Sequence, residues 1–344
     1  MRPPNIRDVA KRAGVSATTV SRFLNGTLEP AVATRSSIEA AIQDLSFVPN
    51  PHARRLGRGR SDAIALLVPD ISAPFFARLA ASAEAEADRR GLELELHVTM
   101  NRAERERRYL AAIQRNHVDG VIVATNHPDD GGLAEAMSRS GRVVLVDEDV
   151  PGAVVPKVMS DNRESGRLAG RCLAAAGHRR VLFLGGPPGM TSTRRRRAGL
   201  EEALAERWGG QGQVLPREGS YSEAFGREAG RRFVAEGLPA TAAFVTSDEM
   251  LIGFLGALRE VGVGVPGDVS VVGHDDVAPL ALFDPPITAV RQPVDELGAR
   301  AVALLVERAE ASAASGEVLL PVTLVERRSV AAPARSTSAT ANIE

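Results

Sequence analysis

The sequence predicts an α/β protein: a three-helix head built around a helix-turn-helix, then a two-lobed body of parallel sheets flanked by helices. Three observations carry that expectation. Residues 5–45 hold three apolar-periodic stretches divided by turn residues, among them Gly14 and Gly26. From about residue 61, short apolar runs alternate with longer helical patterns, as parallel sheets covered on both faces require. The length, 344 residues, exceeds one ordinary core, so a small domain plus one or two of about 100–150 residues is expected.

The head reads in order. Asn5 is placed to cap a first helix, and Asp8, three residues on, puts an acid at its positive end. Ile6, Val9, Ala10 and Ala13 recur at helical spacing, and Gly14 supplies the left-handed stop. Ser16 caps a second helix, Ala17 to Leu24, with Val20 and Leu24 inward, and Asn25-Gly26 ends it. Val32, Ile38, Ala41, Ile42 and Leu45 form the third apolar stripe. In a helix-turn-helix the start of the second helix enters the major groove. Ala17, Thr18 and Arg22 are then the candidates for base edges, through methyl contact or a bidentate arginine–guanine pair. Ser16, Thr19, Ser21 and Asn25 suit phosphates, with Asn5 a further candidate contact. The same pattern also fits a plain three-helix bundle with ordinary caps.

In the body, Ala63–Val68, Leu92–Val98, Gly120–Ala124 and Val143–Val146 read as strands, with helices over Phe76–Arg90 and Glu104–Asn116. The alternation resumes with strands Val181–Leu184, Ala242–Thr246 and Val269–Gly273. Helices are expected near 163–176, 194–207, 222–236 and 248–260. Ligands of such sheets lie beyond the carboxyl ends of the strands. The residues there are Asp70, Phe75, Phe76, Thr125, Asp147, Asp161, Arg196, Asp248 and Asp275. Carboxylates, an arginine and aromatic faces suit a ligand rich in hydroxyls, such as a sugar or nucleoside. A strand-end Asp can equally cap the next helix.

Composition narrows the function. Residues 1–60 carry ten Arg or Lys against four acids, a surplus of six, while the whole chain has a net charge of −1; the remainder carries −7. A basic head on an acidic body is the footprint of a nucleic-acid contact at one end. The lone cysteine and six histidines offer neither an intrachain disulfide nor a metal cluster. Met1 to Lys11 has no apolar segment of an export signal, and no run approaches the ~20 residues of a membrane span, so a cytoplasmic protein is expected. Asp275-Asp276 and His178 could be imagined as an acid–base set, but no Gly-x-Ser-x-Gly, Walker loop or metal spacing supports an enzyme. Gly262 to Gly267 matches GxGxxG with a helix before it and a strand after, the reverse of a dinucleotide site, so no cofactor is expected.

Ile6-Arg7-Asp8-Val9-Ala10, Ala13-Gly14-Val15-Ser16, Thr19-Val20-Ser21-Arg22, Leu24-Asn25-Gly26, Pro49-Asn50 and Ala53-Arg54 closely resemble the lactose-repressor (LacI/GalR) family. So do Asp161-Asn162, Gly177-His178-Arg179, Arg196-Arg197-Ala198-Gly199, Ser247-Asp248-Glu249-Met250 and Asp284-Pro285-Pro286, which extends the resemblance to about residue 330. The resemblance implies a hinge helix near 50–57. There Asn50, Ala53 and Arg54 would meet DNA, and Leu56 would wedge into the minor groove. It implies a periplasmic-binding-protein-like body with ligand contacts at Asp147, Arg196, Asp248, Asp275 and Phe75 or Phe76. The chain departs from the family at Ala31, Phe47, Ala73 and His274, the last a further candidate at the cleft.

These readings set the expected plan: a DNA-binding head at 1–49, a hinge at 50–60, and an effector-binding and dimerisation body at 61–330. Lobe 1 would take about 61–161 plus 292–320 and lobe 2 about 162–291 plus 321–330, before a disordered tail at 331–344. The expected function is a ligand-responsive transcription regulator, a repressor in the first instance. Its partners would be double-stranded operator DNA, a sugar, sugar-derivative or nucleoside effector, and a second copy of the chain.

Overall fold

The computed structural model describes residues 4–47, 61–113, 118–128, 131–310 and 316–333. Within these the chain forms two compact units, one of the residues up to Asp62 together with 118–119, the other of the rest. The expected contacts Asn50, Ala53, Arg54 and Leu56, with the whole hinge at 50–60, lie outside the described residues.

The head folds as its caps dictate. Asn5 accepts from the Arg7 and Asp8 N–H groups while the Asp8 carboxylate accepts from the Asn5 N–H at 2.9 Å, a reciprocal capping box for helix Ile6–Ala13. Gly14 closes that helix at φ 68°. The Ser16 hydroxyl accepts from the Thr19 N–H at 3.0 Å and starts helix Ala17–Leu24. Helix Val32–Asp44 begins at Ala31 without a side-chain cap, a loss worth about 1 kcal/mol. Val9, Ala10, Val20, Ile38 and Ala41 form the buried centre of the three helices. Val32 corrects the sequence reading: at 82% exposure it is no part of that core. It opens its helix, one turn and a half before the first buried residue, Ile38, and so overhangs the bundle.

The body is two six-stranded sheets. The first runs β11-β5-β4-β3-β1-β2 and the second β12-β10-β9-β8-β6-β7. Here β1 is Ala63–Val68, β2 Glu93–Val98, β3 Val121–Val123, β4 Val143–Val146, β5 Lys157–Ser160 and β6 Arg180–Gly185. Then β7 is Gln213–Glu218, β8 Ala242–Val245, β9 Ser270–His274, β10 Thr288–Arg291, β11 Glu317–Leu320 and β12 Thr323–Val325. All pairings are parallel except β12, which runs antiparallel to β10, an edge the parallel-sheet expectation did not include. Helices Gly132–Arg139 and Val294–Glu310 and strands β5, β7, β10, β11 and β12 were also not anticipated. The chain passes between the two sheets three times, after β5, β10 and β11.

Each sheet has a switch point, between β1 and β3 and between β6 and β8, where crossovers leave in opposite directions and open a crevice at the carboxyl ends. In the second lobe, helices Asn162–Ala176 and Thr191–Trp208 pack backbone to backbone. A Cβ on Gly166 would stand 1.9 Å from the Arg196 carbonyl oxygen, and one on Gly199 1.9 Å from that of Arg163. Two glycines thereby bring Arg196 against Asn162. Residue 331, expected as the first of a disordered tail, is held in place instead, and residues 334–344 lie outside the described residues. The Ala331 N–H donates to Ser270 Oγ at 3.0 Å, and its carbonyl accepts from His178 Nε2 at 2.9 Å. Those bonds, with Thr241 Oγ1 2.8 Å from Nδ1, engage both nitrogens of His178 in holding the chain end. Among the described residues no helix is long and apolar enough to cross a membrane.

Candidate functional site

The head presents one polar face. Thr18 and Arg22 are exposed and stand four residues apart on helix Ala17–Leu24, hence on one side of it. The Ser16 and Thr19 hydroxyls lie 2.8 Å apart at its N-terminus, and Asn25 Nδ2 donates to Ser21 Oγ at 3.5 Å. Ala17 is half-buried and packs on the head core, so its methyl serves the fold as well as the face. Asn5 spends its side-chain oxygen on the capping box. Of the exposed cations, Arg12 pairs with Asp44 at 2.6 Å and Arg35 with Glu39 at 3.0 Å, while Arg7, Lys11 and Arg22 remain exposed.

The second site lies between the lobes of the body. Its wall includes Phe75, Phe76, Asp147, Arg196, Asp248 and Asp275, six of the ten residues expected there. Phe75 and Phe76 begin helix Pro74–Arg89 after β1 and meet edge to face at 5.0 Å. Asp147 and Asp275 follow β4 and β9 with φ of 71° and 61°. That left-handed turn is uncommon for a residue with a side chain and collects at functional sites. Arg196 is 4% exposed; its Nε donates to Asn162 Oδ1 at 2.7 Å and its Nη1 to the Thr246 carbonyl at 2.9 Å.

Four expected residues do other work. Asp70 accepts from the Ser72 N–H and hydroxyl, both at 2.8 Å. Thr125 is buried and donates to Glu106 at 2.9 Å. Asp161 caps helix Asn162–Ala176 through the Glu164 N–H. His274 stands behind the wall, fully buried, with Nδ1 donating to Asp275 Oδ1 at 3.0 Å. Its support role follows from its place one residue before Asp275, inside β9.

Sequence reading missed Glu148, Ser192, Tyr221, Ser247, Glu249 and Gln292, all on the wall. Glu148 is the most informative. It lies in the first lobe and accepts from the Thr191 N–H at 2.8 Å, the Ser192 N–H at 3.3 Å and the Ser192 hydroxyl. Helix Thr191–Trp208 in the second lobe has no side-chain cap of its own. The carboxylate therefore caps it from across the cleft, where an anion is favoured. With this clasp the lobes leave a cavity of only about 40 Å3, far below the ~300 Å3 of a small-molecule pocket. Entry of a sugar-sized molecule requires the lobes to part.

The electrostatics are lopsided. Burial, reinforced by Asp275 and Glu148 and opposed by Arg196, pushes Asp147 up to about 7. Burial, then Asp275 and Glu249, pushes Asp248 up to about 7, and burial with Asp70 and Asp275 does the same to Glu249. Burial also acts against Asp275, but His274, Arg196 and the Gln292 amide outweigh it and hold that carboxylate below its usual range. Because the folded pKa of Asp147 stands above its unfolded value of ~3.9, its contribution to stability is fully present at acidic pH and is lost as pH rises through about 7. Asp147→Asn should therefore narrow the difference in unfolding temperature between pH 6 and pH 8. An undiminished difference would show that Asp147 titrates normally.

The comparisons agree across both sites. Residues 5–50 match "Bacterial regulatory proteins, lacI family", and residues 171–330 match a "Periplasmic binding protein-like domain". The HTH-type transcriptional repressor PurR of Erwinia tasmaniensis is 34% identical over 335 residues, covering 95% of this chain and 96% of that one. Among solved structures, the lac repressor dimer bound to operator and the anti-inducer ONPF superposes with a TM-score of 0.85 at 29% identity, covering 96% of this chain and 100% of the other. The transcriptional regulator CelR–cellobiose complex gives a TM-score of 0.72 at 31% identity, covering 95% and 100%.

Proposed function

The chain belongs to the lacI family of bacterial regulatory proteins, and from that membership we propose that it is a cytoplasmic repressor whose grip on a pseudo-palindromic operator is set by a small polar effector in the interlobe cleft. One observation carries the reading: a single chain joins a capped helix-turn-helix, exposing Thr18 and Arg22, to a closable cleft lined by Arg196 and carboxylates. It is a regulator and not an enzyme, as its relatives are.

The mechanism has three parts. Two copies read the two half-sites of the operator, so the operator mirrors the symmetry of the dimer. Ser16, Thr19, Ser21 and Asn25 set the register on phosphates, while Thr18 and Arg22, with the methyl of Ala17, read bases. Asn50, Ala53, Arg54 and Leu56 complete the contact through the hinge. In the body, the effector biases the lobes toward or away from the Glu148-clasped closure. Whatever it does to DNA affinity, DNA does equally to its own affinity. The CelR–cellobiose complex supports a sugar-like effector, and the same hydroxyl-accepting wall suits a nucleoside. When bound to operator the protein is part of the nucleoid.

The test is selection from sheared genomic DNA of the encoding cell, with and without a small-molecule extract of that cell, followed by sequencing of the retained fragments. A pseudo-palindromic site is the expected recovery. No enrichment under either condition would overturn the regulator reading.

A further inference from the structure

Among the described residues, the wall of the cleft carries five carboxylates, Asp147, Glu148, Asp248, Glu249 and Asp275, against one cation, Arg196. Arg196 already gives two of its donors to Asn162 and the Thr246 carbonyl, and Glu148 is taken by the helix it caps. Asp147, Asp248 and Glu249 share the wall with Asp275, whose charge works against the ionisation of all three. Two wall groups are buried with an atom unsatisfied: Asp147 Oδ1 and the Oε1 of Gln292 have no hydrogen-bond partner among the described residues. Gln292 is only 4% exposed, and it turns its amide N–H to Asp275 at 2.6 Å, which leaves Oε1 an acceptor on the wall. Buried acceptors without donors are costly and mark the place of something that donates.

We infer that the effector of this cleft is a cation, a protonated amine carried on a hydroxylated ring, whose ammonium sits among Asp147, Asp248, Glu249 and Asp275. This rests on the effector-responsive reading above and narrows it. An ammonium brings three donors and no acceptor, which is what a wall of carboxylates and a spare amide oxygen lacks. A phosphate or carboxylate on the ligand would instead face four carboxyl groups with one half-engaged arginine to receive it. Phe75 and Phe76 add apolar faces against which a ring, or the cation itself, can lie. The elevated protonation tendency of Asp147, Asp248 and Glu249 points the same way, since the empty wall resists carrying all its charges. A bound cation relieves that resistance. The groups that set the balance are these carboxylates with Glu148 and Asp70 on one side, and Arg196 with His274 and Tyr221 on the other.

The experiment separates charge class before identity. A metabolite extract of the encoding cell is resolved by ion exchange at pH 7 into cationic, neutral and anionic fractions. Each is added to the full chain on its selected operator, and the change in DNA affinity is read. The expected result is a response to the cationic fraction, with potency falling about ten- to a hundredfold in Glu249→Gln, the loss of one charge-assisted hydrogen bond. A response that follows the neutral or the anionic fraction overturns the inference and leaves the regulator reading intact. No response to any fraction overturns effector control itself, and the inference with it. Unchanged potency in Glu249→Gln together with Asp147→Asn overturns the seat assigned to the ammonium.

Discussion

Arg196→Ala should uncouple the protein from its effector and destabilise it by about 3–5 kcal/mol, the usual result of stripping a buried charge from its partners. The side chain is 4% exposed, and its removal orphans Asn162 Oδ1 and the Thr246 carbonyl at once. It also deletes the single positive charge set against Asp147, Glu148 and Asp275. Asp147 and Glu148 would then rise further, and Asp275 would lose part of what holds it below its usual range. Urea unfolding measures the first loss, and operator affinity with and without the cationic fraction measures the second. Arg196→Lys separates the two. It keeps a charge but not the planar fork that reaches Asn162 and Thr246 together, so it should recover part of the stability and little of the response. A variant lacking Arg196 that still responds would show that Arg196 is a structural strut and no more.

Arg22→Ala has the second large effect, on DNA. Its side chain is exposed on the face it shares with Thr18. A bidentate arginine–guanine pair is worth about 1–3 kcal/mol. Two heads on one operator double that to about 2–6 kcal/mol, a loss of roughly thirtyfold to twenty-thousandfold. Affinity for a scrambled duplex at the same salt should barely move. Fluorescence anisotropy on the two duplexes reads both numbers. A parallel loss on operator and scrambled DNA would reassign Arg22 to a phosphate, since backbone contacts act on every sequence alike.

Local chemistry made the head legible. Asn5, Gly14 and Ser16 act within a few residues of themselves, and their caps stand where the sequence places them. Val32 misled because periodicity marks a stripe without saying where the neighbouring helix ends. In the body, strand-end logic found Asp147, Asp248 and Asp275 on the cleft wall, yet treated Asp70 and Asp161 alike. Both make the local hydrogen bonds that a strand-end Asp makes in any turn or helix start. Nothing in the sequence separates the two uses. Glu148 was invisible for another reason: its partners are Thr191 and Ser192, more than forty residues away. Strand β7 carries Gln213, Pro216, Arg217 and Glu218 on a sheet edge, so it lacks the apolar run that betrays central strands. Helix Val294–Glu310 was missed although its start signals, Pro293 before it and Asp295 and Glu296 in its first turn, stand in the sequence.

The tightness of the cleft has a bearing on time as well as on affinity. A molecule that fits only when the lobes part cannot associate at the frequency with which it collides with the surface. Its arrival waits on opening, and so does its departure. Glu148, by closing the helix end at Thr191 and Ser192, then acts on both rates together.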